Sequence, residues 1–404
     1  PVGKMIAEKA GYKRTALELG GNDGLRGLSL VEMKSNLAAM ISSARAAGAQ
    51  VLLIGVQLPP NYGPRYTERF QAIYPELARE HETALLPSLL DGIATEQNLM
   101  REDGIAATPE NAVANWGEMN MGDPQTLIDF IAWAKDTYPA DHYALSFWNH
   151  GWSWRPGWSM SDDTDGDTLD QDEIEAALNE AGPIDVIMYD ACNMATIENQ
   201  ATVRNASQAI IHSQEFVNWD GIEYELVIPA LQEDPDMSAE ELAVVINQSA
   251  GINKERTGSA VALNDDWDAL NDAINEWAVA LMAGLPQYRM DYHRSFQVAQ
   301  VFWQDRTAKD LYDVADKIRN RVADPQIQAT SEAVMKAVEA VVLDEWHTMQ
   351  YHDAHGISIF VPTRVEDLDD PATELNEFEY YREELVFGRI SQWDEFLDAY
   401  LNGQ

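Results

Sequence analysis

Cysteine and positive charge are both scarce in this sequence. Its 404 residues contain a single cysteine, Cys192, so an internal disulfide framework is excluded. Lysine and arginine number 27 against 68 aspartates and glutamates, which gives a formal net charge of −41. We therefore expect neither nucleic acid nor an anionic membrane surface as a partner. No stretch reaches the roughly 18 uninterrupted apolar residues of a membrane span, while a hydrophobic content of 46% predicts a globular protein.

The negative charge is concentrated in the later part of the chain. Residues 1–105 hold 11 basic and 12 acidic residues, which leaves 16 basic and 56 acidic residues for 106–404. Such different surfaces indicate different origins, and we predict one domain over residues 1–105 and a second over 106–404. An acidic surface suits a high-salt environment or a cationic substrate.

Hydrophobic patterning predicts alternating strands and helices in both domains. In the first domain, strands are predicted at 15–19, 51–56 and 84–86, with helices at 30–47 and 65–81. In the second, strands are predicted at 143–148, 184–189, 209–213 and 356–362, and helices at 123–135, 172–180, 239–251, 269–285, 307–321 and 329–343. Asp170 and Glu173 have the spacing of a capping box. The pattern predicts an α/β protein with parallel strands.

Two of the predicted strands end in reactive residues. The strand at 143–148 leads to His150, and the strand at 184–189 leads to Cys192. Functional groups of parallel sheets collect beyond the carboxyl ends of the strands, so both side chains are expected to face one crevice. A thiol needs a base such as histidine to become a thiolate near neutral pH. The backbone N–H groups of Gly151 and Cys192 could then hold the oxyanion of an acyl-transfer intermediate.

The segments around His150 and Cys192 are more diagnostic of a protein family than the pair itself. The segments ALSFWNHGWSW, DDTDGDTLDQDEIEAAL, IDVIMYDACNMATIE and SQEFVNWDGIEYE, with NMGDPQTLIDFIAWAKDTYPADHY upstream and HGISIFVP downstream, resemble the clostripain family of cysteine peptidases over about residues 112–404. The resemblance implies a caspase-like fold, a mostly parallel sheet flanked by helices, with His150 as general base and Cys192 as nucleophile. It also implies that Asp190 and Asp220 form the floor of a pocket that selects Arg or Lys. The alternatives are a buried structural cysteine and two turn-forming aspartates.

The first domain resembles a different family. The segments LELGGNDGLRG, VLLIGVQLPPNYGPRYTERFQAIYPELA and REDGI look like the carboxyl-terminal two thirds of a thioesterase I-type SGNH hydrolase. The resemblance gives Asn22 the role of an oxyanion donor. The nucleophile motif Gly-Asp-Ser-Leu is absent, and Ala106 stands where the family has histidine, which leaves only Asp103 of the triad. Without a nucleophile and a base, this segment is expected to be inert by its own family's mechanism.

The fusion suggests a structural hypothesis. A clostripain-type domain normally opens with a strand, a helix and a strand that this chain lacks before residue 112. We expect the strand–helix–strand unit of the first domain to complete the sheet, because an unpaired edge exposes apolar surface. The alternative is two separately folded lobes or a poorly folded leading segment.

Metal sites are not expected. The run from Asp162 to Asp172 places Gly166 in a poor register for a calcium loop, so a solvated acidic loop is favoured. Calcium dependence is known in the clostripain family, and calcium is therefore kept as an alternative. His347, His352 and His355 do not have the spacing of a zinc site. We expect no other cofactor.

The predicted function is a cysteine endopeptidase that cleaves peptides or proteins after Arg or Lys through an acyl-enzyme. One alternative is a carboxyl-ester hydrolase that uses Cys192 or a new site near Asn22, and another is an inactive hybrid that only binds. Family resemblance favours a secreted or periplasmic location, and the oligomeric state stays open. Many clostripain-type peptidases cut themselves between the catalytic His and Cys. Here residues 151–193 contain one basic residue, Arg155, which is followed by Pro156, so we expect an uncut chain.

Overall fold

The computed structural model describes residues 14–17, 29–46, 50–56, 64–86, 116–217, 221–250, 256–302, 305–367 and 376–403. The chain divides into two compact units, Pro1–Glu118 and Met119–Gln404. The predicted domain boundary between residues 105 and 106 lies outside the described residues and stays a prediction. No helix in these ranges has the length and the apolar character needed to cross a membrane.

The described part of the first unit is a small parallel sheet with two helices. β1 (Arg14–Leu17), β2 (Gln50–Ile54) and β3 (Ala84–Leu86) pair in that order, and the helices are α1 (Leu30–Ala46) and α2 (Pro64–Glu80). Helix α1 buries residues spaced three or four apart, which lie on one face of a helix with 3.6 residues per turn. They belong to one apolar cluster with β2 and α2: Met33, Leu37, Ile41, Ala44, Val51, Leu53, Phe70, Ile73, Tyr74, Leu77 and Ala78.

The expectation that these strands complete the sheet of the second domain concerns how the two units meet, and it stays a prediction. β1, β2 and β3 hydrogen-bond to one another in a three-stranded sheet. β2, α1 and α2 bury a cluster of their own. Burial of about 2 kcal/mol per large aliphatic side chain gives this segment a separate core.

The second unit contains most of the secondary structure. Its strands are β4 (Ala144–Trp148), β5 (Ser161–Asp162), β6 (Asp167–Thr168), β7 (Val186–Asp190), β8 (Ala209–His212), β9 (Thr257–Ala262), β10 (Ala308–Asp310), β11 (Val342–His347) and β12 (Ser358–Phe360). Its helices are α3 (Pro124–Thr137), α4 (Gln171–Ala181), α5 (Ile197–Val203), α6 (Tyr224–Glu233), α7 (Ala239–Ala250), α8 (Asp265–Val298), α9 (Leu311–Arg321), α10 (Pro325–Val341), α11 (Glu377–Glu383), α12 (Val386–Ile390) and α13 (Trp393–Asn402).

The central sheet of this unit has the order β11-β9-β8-β7-β4. β4, β7 and β8 are parallel, and β9 is antiparallel to both of its neighbours, β8 and β11. Four of the five strands therefore point in one direction, which confirms the predicted mostly parallel sheet. β10 and β12 form a separate antiparallel pair, and so do β5 and β6.

Both faces of the central sheet are buried. Along β7, Ile187 and Tyr189 point into one apolar cluster, while Val186 and Met188 point into another. The first cluster includes residues of α3, α4, α8, α9, α10 and α13, and the second includes residues of α6 and α7. Such a strand is apolar at every position because helices cover both sides, which is why β7 is a continuous hydrophobic run in the sequence.

Local signals at the helix ends match the structure. Asp123 caps α3 by accepting a hydrogen bond from the Gln125 N–H at 2.9 Å. The predicted capping box of α4 is confirmed: the Asp170 side chain accepts from the backbone N–H of Glu173, whose carboxylate accepts from the Asp170 N–H at 3.0 Å. Gly182 ends α4 with a φ of 81°, a backbone conformation that glycine adopts without strain.

Candidate active site

The predicted catalytic residues follow two neighbouring strands of the central sheet. β4 pairs with β7 in a register that sets Trp148 opposite Asp190. His150 and Cys192 each come two residues later, so both lie just beyond the carboxyl ends of adjacent parallel strands. His150 is exposed, and Cys192 is partly buried. The structure thus places both residues of this pair at the same end of the sheet, two residues after the ends of β4 and β7.

Gly151 packs against the backbone of the cysteine loop. A Cβ atom at this position would collide with the carbonyl oxygen of Cys192 and would lie 2.8 Å from Met194 Sδ. Only glycine fits such a close approach. Within the described part of the chain, the backbone N–H groups of Gly151 and Cys192 donate to no other group. They are therefore available to an anionic oxygen.

The loop after β7 is anchored to the segment after β8. Asn193 has a left-handed backbone with a φ of 57°. Its backbone N–H donates to the Glu215 carbonyl at 3.1 Å, and its Nδ2 donates to the Gln214 carbonyl at 2.8 Å. Two residues on, the Ala195 N–H donates to the Ser213 carbonyl at 3.0 Å. These bonds fix the backbone turn that presents the Cys192 side chain.

The surroundings of Cys192 favour the neutral thiol. Burial raises the pKa of Cys192, and the carboxylates of Glu215 and Asp190 raise it further. Two groups oppose this: the Val217 N–H, which donates to Sγ at 3.4 Å, and the positive charge of Arg256. A thiol in this environment requires a base for efficient nucleophilic attack, because the thiolate is the reactive species.

Asp190 lies in the wall of a cavity next to this loop. It is 5% exposed, and its Oδ2 accepts a hydrogen bond from the Ile222 N–H at 3.4 Å. Burial raises the pKa of Asp190, and the Ile222 hydrogen bond partly offsets that shift. Gly221 has a φ of 62°, and a Cβ there would lie 2.6 Å from Asp190 Oδ2. Asp220, the second predicted pocket residue, lies outside the described residues.

The cavity has a volume of about 50 Å³, and Asp190 forms one part of its wall. Val217, the residue whose N–H donates to the Cys192 sulfur, also lines the cavity. Its other walls include apolar, hydroxyl and charged side chains, among them Phe216, Thr257, Trp346 and Arg256. A narrow cavity with a buried carboxylate in its wall can accept a cationic side chain.

Sequence reasoning missed two residues of this region, Gln214 and Arg256. Gln214 is buried, and its Nε2 donates to Asp310 Oδ2 at 3.0 Å and to Ser358 Oγ at 2.9 Å. It thereby ties the segment after β8 to β10 and β12. No local pattern marks such a long-range contact. For Arg256 a signal existed, because basic residues are rare in this acidic part of the chain.

The acidic loop forms a hairpin in which β5 pairs with β6. Asp162 accepts hydrogen bonds from the backbone N–H groups of Met121 at 2.9 Å, Thr164 at 2.8 Å and Asp165 at 3.2 Å. These bonds, led by the one from Met121, lower the pKa of Asp162. The carboxylate therefore stabilises the turn by accepting these backbone hydrogen bonds, and calcium in this loop stays an alternative.

The three late histidines do not share a site in the described part of the chain. The Nδ1 atoms of His347, His352 and His355 lie near three different carboxylates, with distances of 3.0 Å to Glu345, 2.8 Å to Asp353 and 3.1 Å to Asp310. His355 also stacks on Tyr312 with ring centroids 4.1 Å apart. Each histidine thus has a different carboxylate as its neighbour.

The mixed α/β fold and the site together are those of a hydrolase with a cysteine at its centre. The model of the Clostripain family matches residues 83–400, which is most of the chain, and the chain belongs to that family. A solved secreted C11 cysteine protease from Bacteroides thetaiotaomicron, in complex with an irreversible peptide inhibitor, has a TM-score of 0.51 and 18% sequence identity. The match covers 70% of this chain and 81% of that chain, and it confirms the caspase-like fold.

Two curated relatives match different parts of the chain. Clostripain of Hathewaya histolytica is 24% identical over 303 residues, which are 70% of this chain and 53% of that protein. Esterase TesA of Pseudomonas aeruginosa is 54% identical over 89 residues, which are 22% of this chain and 44% of that protein. The chain thus spans about half the length of these relatives or less. The resemblance of a short segment to SGNH esterases is confirmed.

Proposed function

We propose that the protein is a cysteine endopeptidase in which Cys192 is the nucleophile and His150 the general base. The observation that carries the proposal is the register of β4 and β7, which sets Trp148 opposite Asp190 and hence His150 level with Cys192. The surroundings of the thiol raise its pKa, so the reaction depends on a base at this place. Membership of the Clostripain family supports the same assignment.

The chemistry follows from these positions. His150 takes the proton of the Cys192 thiol, and the thiolate attacks the carbonyl carbon of the scissile bond. The negative charge moves to the carbonyl oxygen, which the N–H groups of Gly151 and Cys192 stabilise. When the C–N bond breaks, His150 gives its proton to the leaving amine. Water then attacks the acyl-enzyme, again with His150 as base, and the thiol is restored.

The substrate is a peptide or protein with Arg or Lys before the scissile bond. Asp190 supports this specificity, because its carboxylate lies in the wall of a cavity that is also lined by Val217, the residue whose N–H donates to Cys192 Sγ. A cationic side chain in the cavity restores the ionised form of a carboxyl whose pKa burial has raised. The net charge of −41 adds a general attraction for basic substrates. We also propose that the protein is secreted, as the similar protease of Bacteroides thetaiotaomicron is said to be.

The test compares peptides that differ only in the residue before the scissile bond: Arg, Lys or Leu. The parent protein should cleave the first two and leave the third nearly untouched. Cys192→Ala and His150→Ala should each lower turnover by at least about 10³-fold, because nucleophile and base act as a unit. His142→Ala is the matched control, since this exposed histidine pairs with Asp185 away from the site and should leave the rate unchanged.

Peptide turnover that survives Cys192→Ala would contradict the proposal. An ester substrate measured in parallel separates the alternative function. Loss of ester and peptide hydrolysis together assigns both to Cys192. Ester hydrolysis that remains in Cys192→Ala would assign it to the segment that resembles SGNH esterases.

A further inference from the structure

Arg256 lies on the wall of the cavity that also contains Asp190, directly before β9. Its guanidinium stacks over the ring of Phe216, 4.8 Å from the ring centroid, and its Nη1 lies 3.5 Å from Glu215 Oε1. Glu215 is fully buried, whereas the Arg256 side chain is 36% exposed. A buried carboxylate and an aromatic face therefore hold a guanidinium that still reaches the cavity.

The segment that Arg256 holds is the one that contacts the sulfur. The Phe216 N–H donates to Glu215 Oε1 at 3.0 Å, and the next N–H, that of Val217, donates to Cys192 Sγ at 3.4 Å. Phe216 thus lies between the guanidinium and the hydrogen bond to the thiol. A hydrogen bond donated to sulfur favours the thiolate over the thiol.

The charged groups near Cys192 have opposite effects on its ionisation, and the carboxylates outnumber the fixed cation. Asp190 at the end of β7 and Glu215 after β8 are carboxylates that oppose ionisation of the thiol. His150, beyond β4, carries a charge only when it is protonated. Arg256 is a permanent cation in the same surroundings. Within the part of the chain that the structure describes, loss of its charge would leave the thiol with two carboxylates and no fixed positive charge to balance them.

We propose that Arg256 is a positioning residue for Cys192, which holds the Val217 N–H at the sulfur and supplies a positive charge that favours the thiolate. This role rests on the proposed function of Cys192 as nucleophile. In this role the guanidinium stabilises the thiolate of the protein itself and does not bind the substrate. The positive charge of Arg256 then offsets the negative charge of Asp190, the carboxylate that a pocket for basic side chains requires.

The test measures how fast iodoacetamide alkylates Cys192 as a function of pH, by mass spectrometry of the intact protein. The chain has one cysteine, so every adduct reports this thiol. Arg256→Gln should move the midpoint of the profile up by about 0.5 to 1 pH unit, because one neighbouring charge is lost. Arg256→Lys keeps the charge and should move it less. Arg204→Gln, at an arginine that pairs with Asp268 elsewhere, is the control and should match the parent.

A folded Arg256→Gln variant with the parent's alkylation profile would overturn the proposal, even if its melting temperature fell. Should Arg256→Gln fail to fold, Phe216→Leu carries the test, because it removes the aromatic face and keeps the charge. An upward shift smaller than that expected for Arg256→Gln supports the proposal, and an unchanged profile overturns it. If the alkylation profiles are as expected but the parent protein cleaves no peptide, the effect of Arg256 on the thiol is supported and the proposed function is contradicted.

Discussion

The thiol of Cys192 lies among groups that mostly oppose its ionisation. Burial and two carboxylates favour the neutral form, and the Val217 N–H and Arg256 favour the thiolate. The balance makes the base decisive, since a neutral thiol is a poor nucleophile. The proposed base is His150, which follows the adjacent strand β4.

At the same scale, Asp190→Asn tests the pocket. One charge-assisted hydrogen bond is worth about 1.5–3 kcal/mol, so kcat/KM for an Arg peptide should fall by about 10- to 100-fold. A Leu peptide should be affected little. Asparagine can still accept the Ile222 N–H, so the fold is expected to hold. Equal losses for Arg and Leu peptides would contradict the pocket assignment.

The raised pKa of Asp190 gives the same prediction a pH dependence. As the pH falls through that raised pKa, the carboxyl becomes neutral and its attraction for a cation disappears. As the pH falls, KM for the Arg peptide should therefore begin to rise at a higher pH than it would if Asp190 had the pKa of an ordinary aspartate. In Asp190→Asn, KM measured across the same pH range should stay flat.

How much of the site can be predicted from the sequence depends on the range of each signal. Cys192 and His150 follow strands that are apolar at nearly every position, and such strands are recognisable from a few consecutive residues. Gln214 and Arg256 act through contacts with β10, β12 and Phe216, which come from distant parts of the chain. No short pattern encodes those contacts.

At the scale of elements, predicted strands β4, β7, β8 and β12 agree with the structure to within two residues. Strands β9 and β11 are not predicted from the sequence. β9 is built of Thr, Gly, Ser, Ala and Val, and small residues have a low preference for strands. It is a strand because it is buried throughout between β8 and β11, where tertiary packing overrides local preference.

The small residues of β9 have a physical reason that can be tested at Gly258. A Cβ there would lie 2.6 Å from Cε2 and Nε1 of Trp346, whose indole donates to the Asn247 carbonyl at 3.0 Å. Gly258→Ala should therefore lower the free energy of unfolding by about 1–3 kcal/mol, as overpacking does. Urea unfolding gives the value.

Trp346→Phe, which removes part of the indole, supplies the control. The double variant should lose less than the sum of the two single losses, because the clash and the ring disappear together. Strict additivity, or an unchanged stability of Gly258→Ala, would show that Trp346 does not restrict this position.

At the scale of the whole molecule, the network around Arg155 bears on whether the chain is cut. Arg155 is 7% exposed and forms ion pairs with Glu377 and with Asp305, the latter at 3.5 Å. It also donates to Thr307 Oγ1 at 3.1 Å. A protease needs its target side chain and backbone exposed in an extended segment. Arg155 therefore joins distant parts of the unit and is shielded from cleavage.

We expect the protein to remain a single chain and to need no cut between His150 and Cys192 for activity. Purified parent protein and Cys192→Ala should have the same intact mass after storage for several days. Two fragments that meet at the Arg155–Pro156 bond, found only in the parent, would contradict this expectation. Fragments in both preparations would indicate a contaminating protease instead.

The single cysteine has a consequence for oxidation. A partly buried thiol that ionises at an active site is also the group that peroxides convert to sulfenic acid. Within these 404 residues no second thiol exists to capture that sulfenic acid as an internal disulfide. Recovery through a disulfide therefore needs an external thiol, and further oxidation leads to the irreversible sulfinic state. The redox poise of the surroundings would then set how long each molecule stays active.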